Sequence, residues 1–261
     1  MLAVTGLAAL LLVPAPAQSR VDDRALRCLN NQRQLMRAWQ LYATDYHDQV
    51  VASGNAPSGR PNWMTGSLDF MAANPSNYQT NQDLIKSPLW PYTAGQAGIF
   101  HCPADRSYVT KAGQPYPRIR SLSMSAVFGS GEWLNGSIGS PAPYLTYAVL
   151  SDVRLPAHTF VFIDEHPDSI NDGQLAVSCV GAQPGDAPGQ AKIIDIPAAY
   201  HNGGVGLSFA DGHAEIHNWI GSMLRSQPIV YSQGGLLPLN ISAGDSWVDM
   251  HWLAANTTVK Q

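Results

Sequence analysis

From Met1 to Ala17 the chain carries no charged side chain, and the first one is Arg20. Nothing else in the sequence narrows the possible folds as sharply. An apolar surface of this size has to be covered by lipid, by a protein core or by copies of itself. A spanning helix takes roughly 20 apolar residues, so MLAVTGLAALLLVPAPA is borderline for one. Three readings follow. Ala15-Pro16-Ala17 resembles the small-residue site of a cleavable signal peptide, although a basic n-region is missing. An uncleaved membrane helix fits if it is tilted. The third reading is a helix that sits in a membrane and later packs against other copies. A buried helix of a cytosolic protein is the plain alternative, in an unusual place.

Residues 20–51 read as an amphipathic helix. Ala25, Cys28, Leu29, Gln32, Leu35, Met36, Trp39, Tyr42, Ala43 and Tyr46 recur at steps of three and four, and Gln32 is the one clearly polar member of that stripe. Asp22 and Asp23 suit the positive end of the helix dipole. If the apolar segment is also helical, the two form one rod, kinked at Pro14 and Pro16. Residues 60–120 look irregular apart from a helical turn at 82–86 and a strand through Ile99-Phe100-His101-Cys102. Short strands are predicted at 121–128, 144–150, 159–163, 176–179, 191–196, 205–210 and 214–219, each between turn residues. A helix of this kind can bury its stripe only against the β-rich remainder, which gives an α+β domain.

The stretch HNGGVGLSFADGHAEIHNW, His201 to Trp219, holds three of the eight histidines. Asp211-Gly212 between alternating runs predicts a hairpin with a type I′ turn. His213, Glu215 and His217 then lie on the solvated face. The bland reading is a hairpin with polar trim. A zinc site from His166, His201 and His213 is the sharper one. The neighbouring run Asp164 to Gly173 offers Asp164, Glu165, Asp168, Asn171 and Asp172 as oxygen ligands for calcium. The spacing is not an EF-hand, and Asp, Asn and Gly are ordinary turn residues.

Only 13% of residues are charged and the net charge is −4, which gives nucleic acid no basic surface to bind. The chain contains no G-x-S-x-G, H-E-x-x-H or phosphate loop, and none of its three cysteines forms a C-x-x-C pair. In an exported chain, one disulfide and one spare thiol is the simple reading of three cysteines.

Five segments together resemble a known family. His201, nine residues and then Asp211-Gly212 resembles the signature of bacterial prepilin-type, processing-associated proteins. Leu11-Leu12-Val13-Pro14-Ala15 is similar to the proline-closed end of a prepilin hydrophobic helix. Cys28-Leu29-Asn30-Asn31-Gln32-Arg33-Gln34-Leu35 resembles the family's Cys-x-Asn-Asn helix. Phe100-His101-Cys102-Pro103-Ala104-Asp105 resembles its Phe-x-Cys-Pro-x-Asp stretch, and Ile163-Asp164-Glu165-His166 its Asp-Glu after a strand. The chain departs from the pattern at its start. Aligned on Pro14, the glutamate that such helices carry falls upstream of Met1, and Thr5 is the fifth residue.

The resemblance implies a pilin-like α+β fold: a long, hydrophobic-then-amphipathic N-terminal helix packed on an antiparallel sheet. It divides the chain into a stem helix (1–19), an amphipathic helix (20–52) and a β-rich head (53–261). It implies a non-enzymatic subunit, in a membrane before assembly and then on the cell surface, whose partners are copies of itself or related subunits. The contacts would run through Leu2, Val4, Leu7, Leu10, Leu11, Leu12 and Pro14. No cofactor is required, calcium being the one candidate. It also implies that Cys28 and Cys102 form a disulfide stapling helix to head. Two other functions compete. One is an exported, membrane-anchored module on a pilin-like fold, binding glycans or other surface partners through Trp63, Trp90 and Trp133. The other is a secreted metal-dependent hydrolase built on Asp164, Glu165, His166, His201 and Asp211.

Overall fold

The computed structural model of the protein describes residues 23–54, 56, 59–232 and 240–261. The expected stem, with Leu2 to Pro14, lies outside the described residues. The elements are α1 (Asp23–Asp45), β1 (Tyr108–Lys111), β2 (Gln114–Pro117), β3 (Leu122–Ser125), β4 (Phe160–Asp164), β5 (Gln174–Leu175), β6 (Lys192–Ile193), β7 (Gly204–Phe209), β8 (Ala214–Asn218), α2 (Ser222–Arg225), β9 (Ile241–Ser242) and α3 (Trp247–Ala255). Short 3-10 turns fill much of the remainder.

α1 buries Cys28, Gln32, Leu35, Met36, Ala38, Trp39, Tyr42 and Ala43, all but Ala38 from the stripe that its periodicity sets out, whereas Ala25 and Leu29 are half-buried and Tyr46, past the helix end, is exposed. It stops at Asp45 and does not run on to Val51. His47 and Asp48 both take left-handed backbone angles, and the Asp48 amide turns back to the Ala43 carbonyl at 2.8 Å, a Schellman closure.

The main sheet has the order β5-β3-β4-β7-β8. Three of its pairings are antiparallel and β3–β5 is parallel. The sheet is therefore mixed, and this corrects the expected architecture of a long helix on an antiparallel sheet. Residues 165–173 cross the start of β3 and lay β5 along its far side in the same direction. α1 is 23 residues long, and no described helix is long and apolar enough to cross a membrane.

Other differences have local causes. The predicted strand at 99–102 is instead a 3-10 turn over Ala97–Phe100. The segment 144–150 makes single bridges, Tyr144 to Lys260 and Val149 to Gln49, and no ladder. β1 and β2 form a hairpin inside the supposedly irregular region. Its turn is Ala112-Gly113, both at positive φ, and alanine there gives little sequence signal. The β7–β8 hairpin forms, but with a three-residue loop. Gly212 donates to the Phe209 carbonyl at 2.8 Å, and Gly212 alone of the Asp-Gly pair has positive φ, 99°. That is a type I turn followed by a left-handed glycine, not the type I′ turn.

α1 lies against β7, β8 and β4. The paired residues Phe162 and Ser208, with Asp164 and Gly206 two steps on, face the helix. Gln32 locks the contact. Its amide donates to the Gly206 carbonyl at 3.1 Å and its oxygen accepts from Ser208 Oγ at 2.9 Å. A polar residue in the apolar stripe thus satisfies a strand that carries no large side chain there.

Candidate metal centre

Beside Gln32, four side chains from four separate segments meet. Cys28 comes from α1, Cys102 from the loop after the 3-10 turn at 97–100, Asp164 from the end of β4, and His201 from the turn before β7. One ligand atom of each lies within 4.8 Å of all the others. Cys28 Sγ donates to Asp164 Oδ2 at 3.1 Å, and Cys102 Sγ is 3.3 Å from His201 Nε2.

Local structure delivers each group. Asn31, three residues after Cys28, holds the Cys102 loop by donating to the carbonyls of Gly98 and His101, both at 3.1 Å. Ser121 accepts the Cys102 amide and donates to Asp164 Oδ1, both at 2.8 Å. The Ala104 amide reaches Cys102 Sγ at 3.4 Å. His201 is set by a tight turn whose amides and carbonyls pair with Gly204 at 3.0 and 3.2 Å. Strand alternation then separates the two acids at the end of β4. Asp164 points at α1, while Glu165 points to the opposite face and accepts from Ser123 Oγ and Ser169 Oγ.

The group is sealed. Cys28 and Cys102 are 1% exposed, Asp164 0% and His201 6%. Burial pushes the Asp164 carboxyl up to about 7, against the bonds from Cys28 and Ser121. The Cys28 thiol is raised by its bond to Cys102, by burial and by the Asp164 charge. For Cys102 the bond from Cys28 works downward, burial and Asp164 work upward, and the net shift is upward. A catalytic thiol needs substrate access, and the buried Cys102–His201 pair has none.

The other expected residues do not converge. In the loop after β4, Asp168 accepts the amides of Val230 and Ser232 at 2.8 and 2.7 Å, Asn171 accepts the Asp172 amide, and Asp172 accepts that of Gln174. The loop already surrounds cations of its own. Arg118 donates to the carbonyls of Pro167 and Ile170, and Arg120 to those of Leu122 and Asp172. Both arginines are buried, and burial lowers the Arg120 guanidinium to about 10. Among the described residues, the four-residue group is the one set of His, Cys, Asp and Glu placed to share an ion.

The histidines separate as well. His166 Nε2 meets the Gln227 carbonyl at 3.2 Å. His213 bonds Asp211 at 2.6 Å and stacks on Phe209. His217, expected in water, stacks on Trp252. Asp211 and Gly212 sit at the far end of the hairpin from His201, so only one end of the signature reaches Asp164. Cys28 and Cys102 are brought together as free thiols, and Cys179 is a third, buried elsewhere. All seven tryptophans are buried or half-buried. Trp63, for one, is core, its indole donating to the Gly173 carbonyl at 2.6 Å. The chain matches no family model, no curated protein and no solved structure.

Proposed function

We propose that the protein is a non-enzymatic structural subunit, of the kind the prepilin resemblance implies. It assembles through its apolar N-terminal segment into a surface filament or a secretion pseudopilus, and the described residues belong to its amphipathic helix and its folded head. One observation carries this reading. The four converging residues come from four different segments of the resemblance: Cys28 from the helix, Cys102 from the Phe-His-Cys-Pro stretch, Asp164 from the strand end and His201 from the signature. A sealed cluster accounts for those motifs by a structural role, joining α1 to the sheet, with no substrate to admit. The chain is held in a membrane before assembly and carried at the surface afterwards, with copies of itself or related subunits as partners.

Electron microscopy of material sheared from the native cell surface, with mass spectrometry of the fibres, tests the proposal. Filaments or short pseudopili containing this chain support it. A chain found only as a dispersed species, in the membrane or outside the cell, overturns it.

A further inference from the structure

We propose that Cys28, Cys102, Asp164 and His201 bind a zinc-class divalent cation in a closed tetrahedral site that ties α1 to the sheet. This inference concerns the described residues alone and stands whether or not the chain assembles.

The donor set selects the metal. Two sulfurs, one imidazole nitrogen and one carboxylate oxygen suit zinc, whose structural sites take four such ligands and no water. Calcium and magnesium need six or more oxygens, and this group has one carboxylate. The spacing fits as well. Bonds of about 2.3 Å to sulfur and 2.0–2.1 Å to nitrogen or oxygen put tetrahedral ligands roughly 3.4–3.8 Å apart. The group shows separations of 3.1 and 3.3 Å, with every pair inside 4.8 Å.

The surroundings are those of a ligand shell. Ser121 Oγ occupies Asp164 Oδ1 and leaves Oδ2 facing the sulfurs. The same hydroxyl fixes the Cys102 backbone, and the Ala104 amide points at Cys102 Sγ. Such outer partners orient ligands and stabilise thiolate. Gly206 opens the space, because a Cβ there would lie 2.6 Å from Cys28 Sγ and 2.9 Å from Asp164 Oδ2. Binding displaces the two thiol protons, with any proton on Asp164, to solvent, and the cation then offsets two of the three negative charges that burial disfavours.

The test uses the full chain, purified in detergent under reducing, oxygen-free conditions. It is loaded with zinc, freed of loose metal and analysed for metal content, with cobalt as a spectroscopic substitute. The expected result is one zinc per chain and a tetrahedral cobalt spectrum with thiolate charge-transfer bands. Those bands weaken in Cys102→Ser, and Ser121→Ala binds zinc about 10- to 100-fold more weakly. If Cys102→Ser fails to fold, alkylation of the wild-type chain decides. Zinc should shield Cys28 and Cys102, and a chelator should expose them. Substoichiometric metal, thiols that zinc does not shield, or a Cys28–Cys102 disulfide in chain taken from its native envelope overturns the proposal.

Discussion

Gly206→Ala probes the centre without replacing any of its ligands. The added methyl would stand 2.6 Å from Cys28 Sγ and 2.9 Å from Asp164 Oδ2. Comfortable contact begins near 3.5 Å, so helix and strand must part by about 1 Å. They cannot do so freely. β7 is paired on both sides, and Gln32 bonds the Gly206 carbonyl itself. Overpacking of this kind costs about 1–3 kcal/mol. The stiffer unfolded chain returns about 0.4–1 kcal/mol, leaving a net loss of roughly 1–2 kcal/mol. In a chain of this size each kcal/mol lowers Tm by about 2–4 °C. The expected drop is therefore roughly 2–8 °C, read by circular dichroism melting under reducing conditions. Gly98→Ala is the control. Nothing lies within 4 Å of a Cβ there, and its Tm should stay level or rise by about 1–4 °C. A Gly206→Ala chain that melts at or above the wild-type temperature would refute the close approach of α1 to β7.

Three further perturbations follow from other parts of the structure. Asp195 is buried and accepts the Ala176 amide, and burial lifts its carboxyl from 3.8 to about 7. The native state therefore keeps a proton that the unfolded chain has lost, so this group's contribution to stability falls as pH rises from about 4 to about 7. Asp195→Asn should flatten that slope in urea titrations across the window, and an unchanged slope contradicts the assignment. Arg120→Ala strips the buried carbonyl of Leu122 and the partly exposed one of Asp172 of their guanidinium donor. A loss of about 2–4 kcal/mol in urea is expected, and a loss below 0.5 kcal/mol would mean that water replaces the guanidinium at about equal energy. Gln32→Leu leaves the Gly206 carbonyl without its side-chain donor and should cost about 1–3 kcal/mol, measured the same way. A neutral result would remove Gln32 from the helix–sheet contact.

The sequence made some parts of this structure readable and hid others, for physical reasons. The buried stripe of α1 was readable because a helix repeats its inward face every three to four residues. The β7–β8 hairpin was readable because its two runs alternate around Asp-Gly. Each member of the metal centre stood inside a stretch that could be singled out. Their meeting was not visible, because no local period links α1, a 3-10 turn, a strand end and a loop. Alternation could have separated Asp164 from Glu165, since neighbours on a strand face opposite ways. The oxygen-rich loop after β4 looked like a cation site, and in a sense it is one. Its cations are Arg118 and Arg120, and two arginines ahead of a strand do not announce which carbonyls they will reach. Ser121 had no signal at all, because its role depends on two partners distant in the chain.

Anomalous diffraction at the zinc absorption edge is the most direct test, on crystals of chain isolated without chelator. The account predicts one strong peak, bonded to Cys28 Sγ, Cys102 Sγ, Asp164 Oδ2 and His201 Nε2. No peak, with the two sulfurs joined to each other, would contradict it and leave a disulfide as the link between helix and sheet.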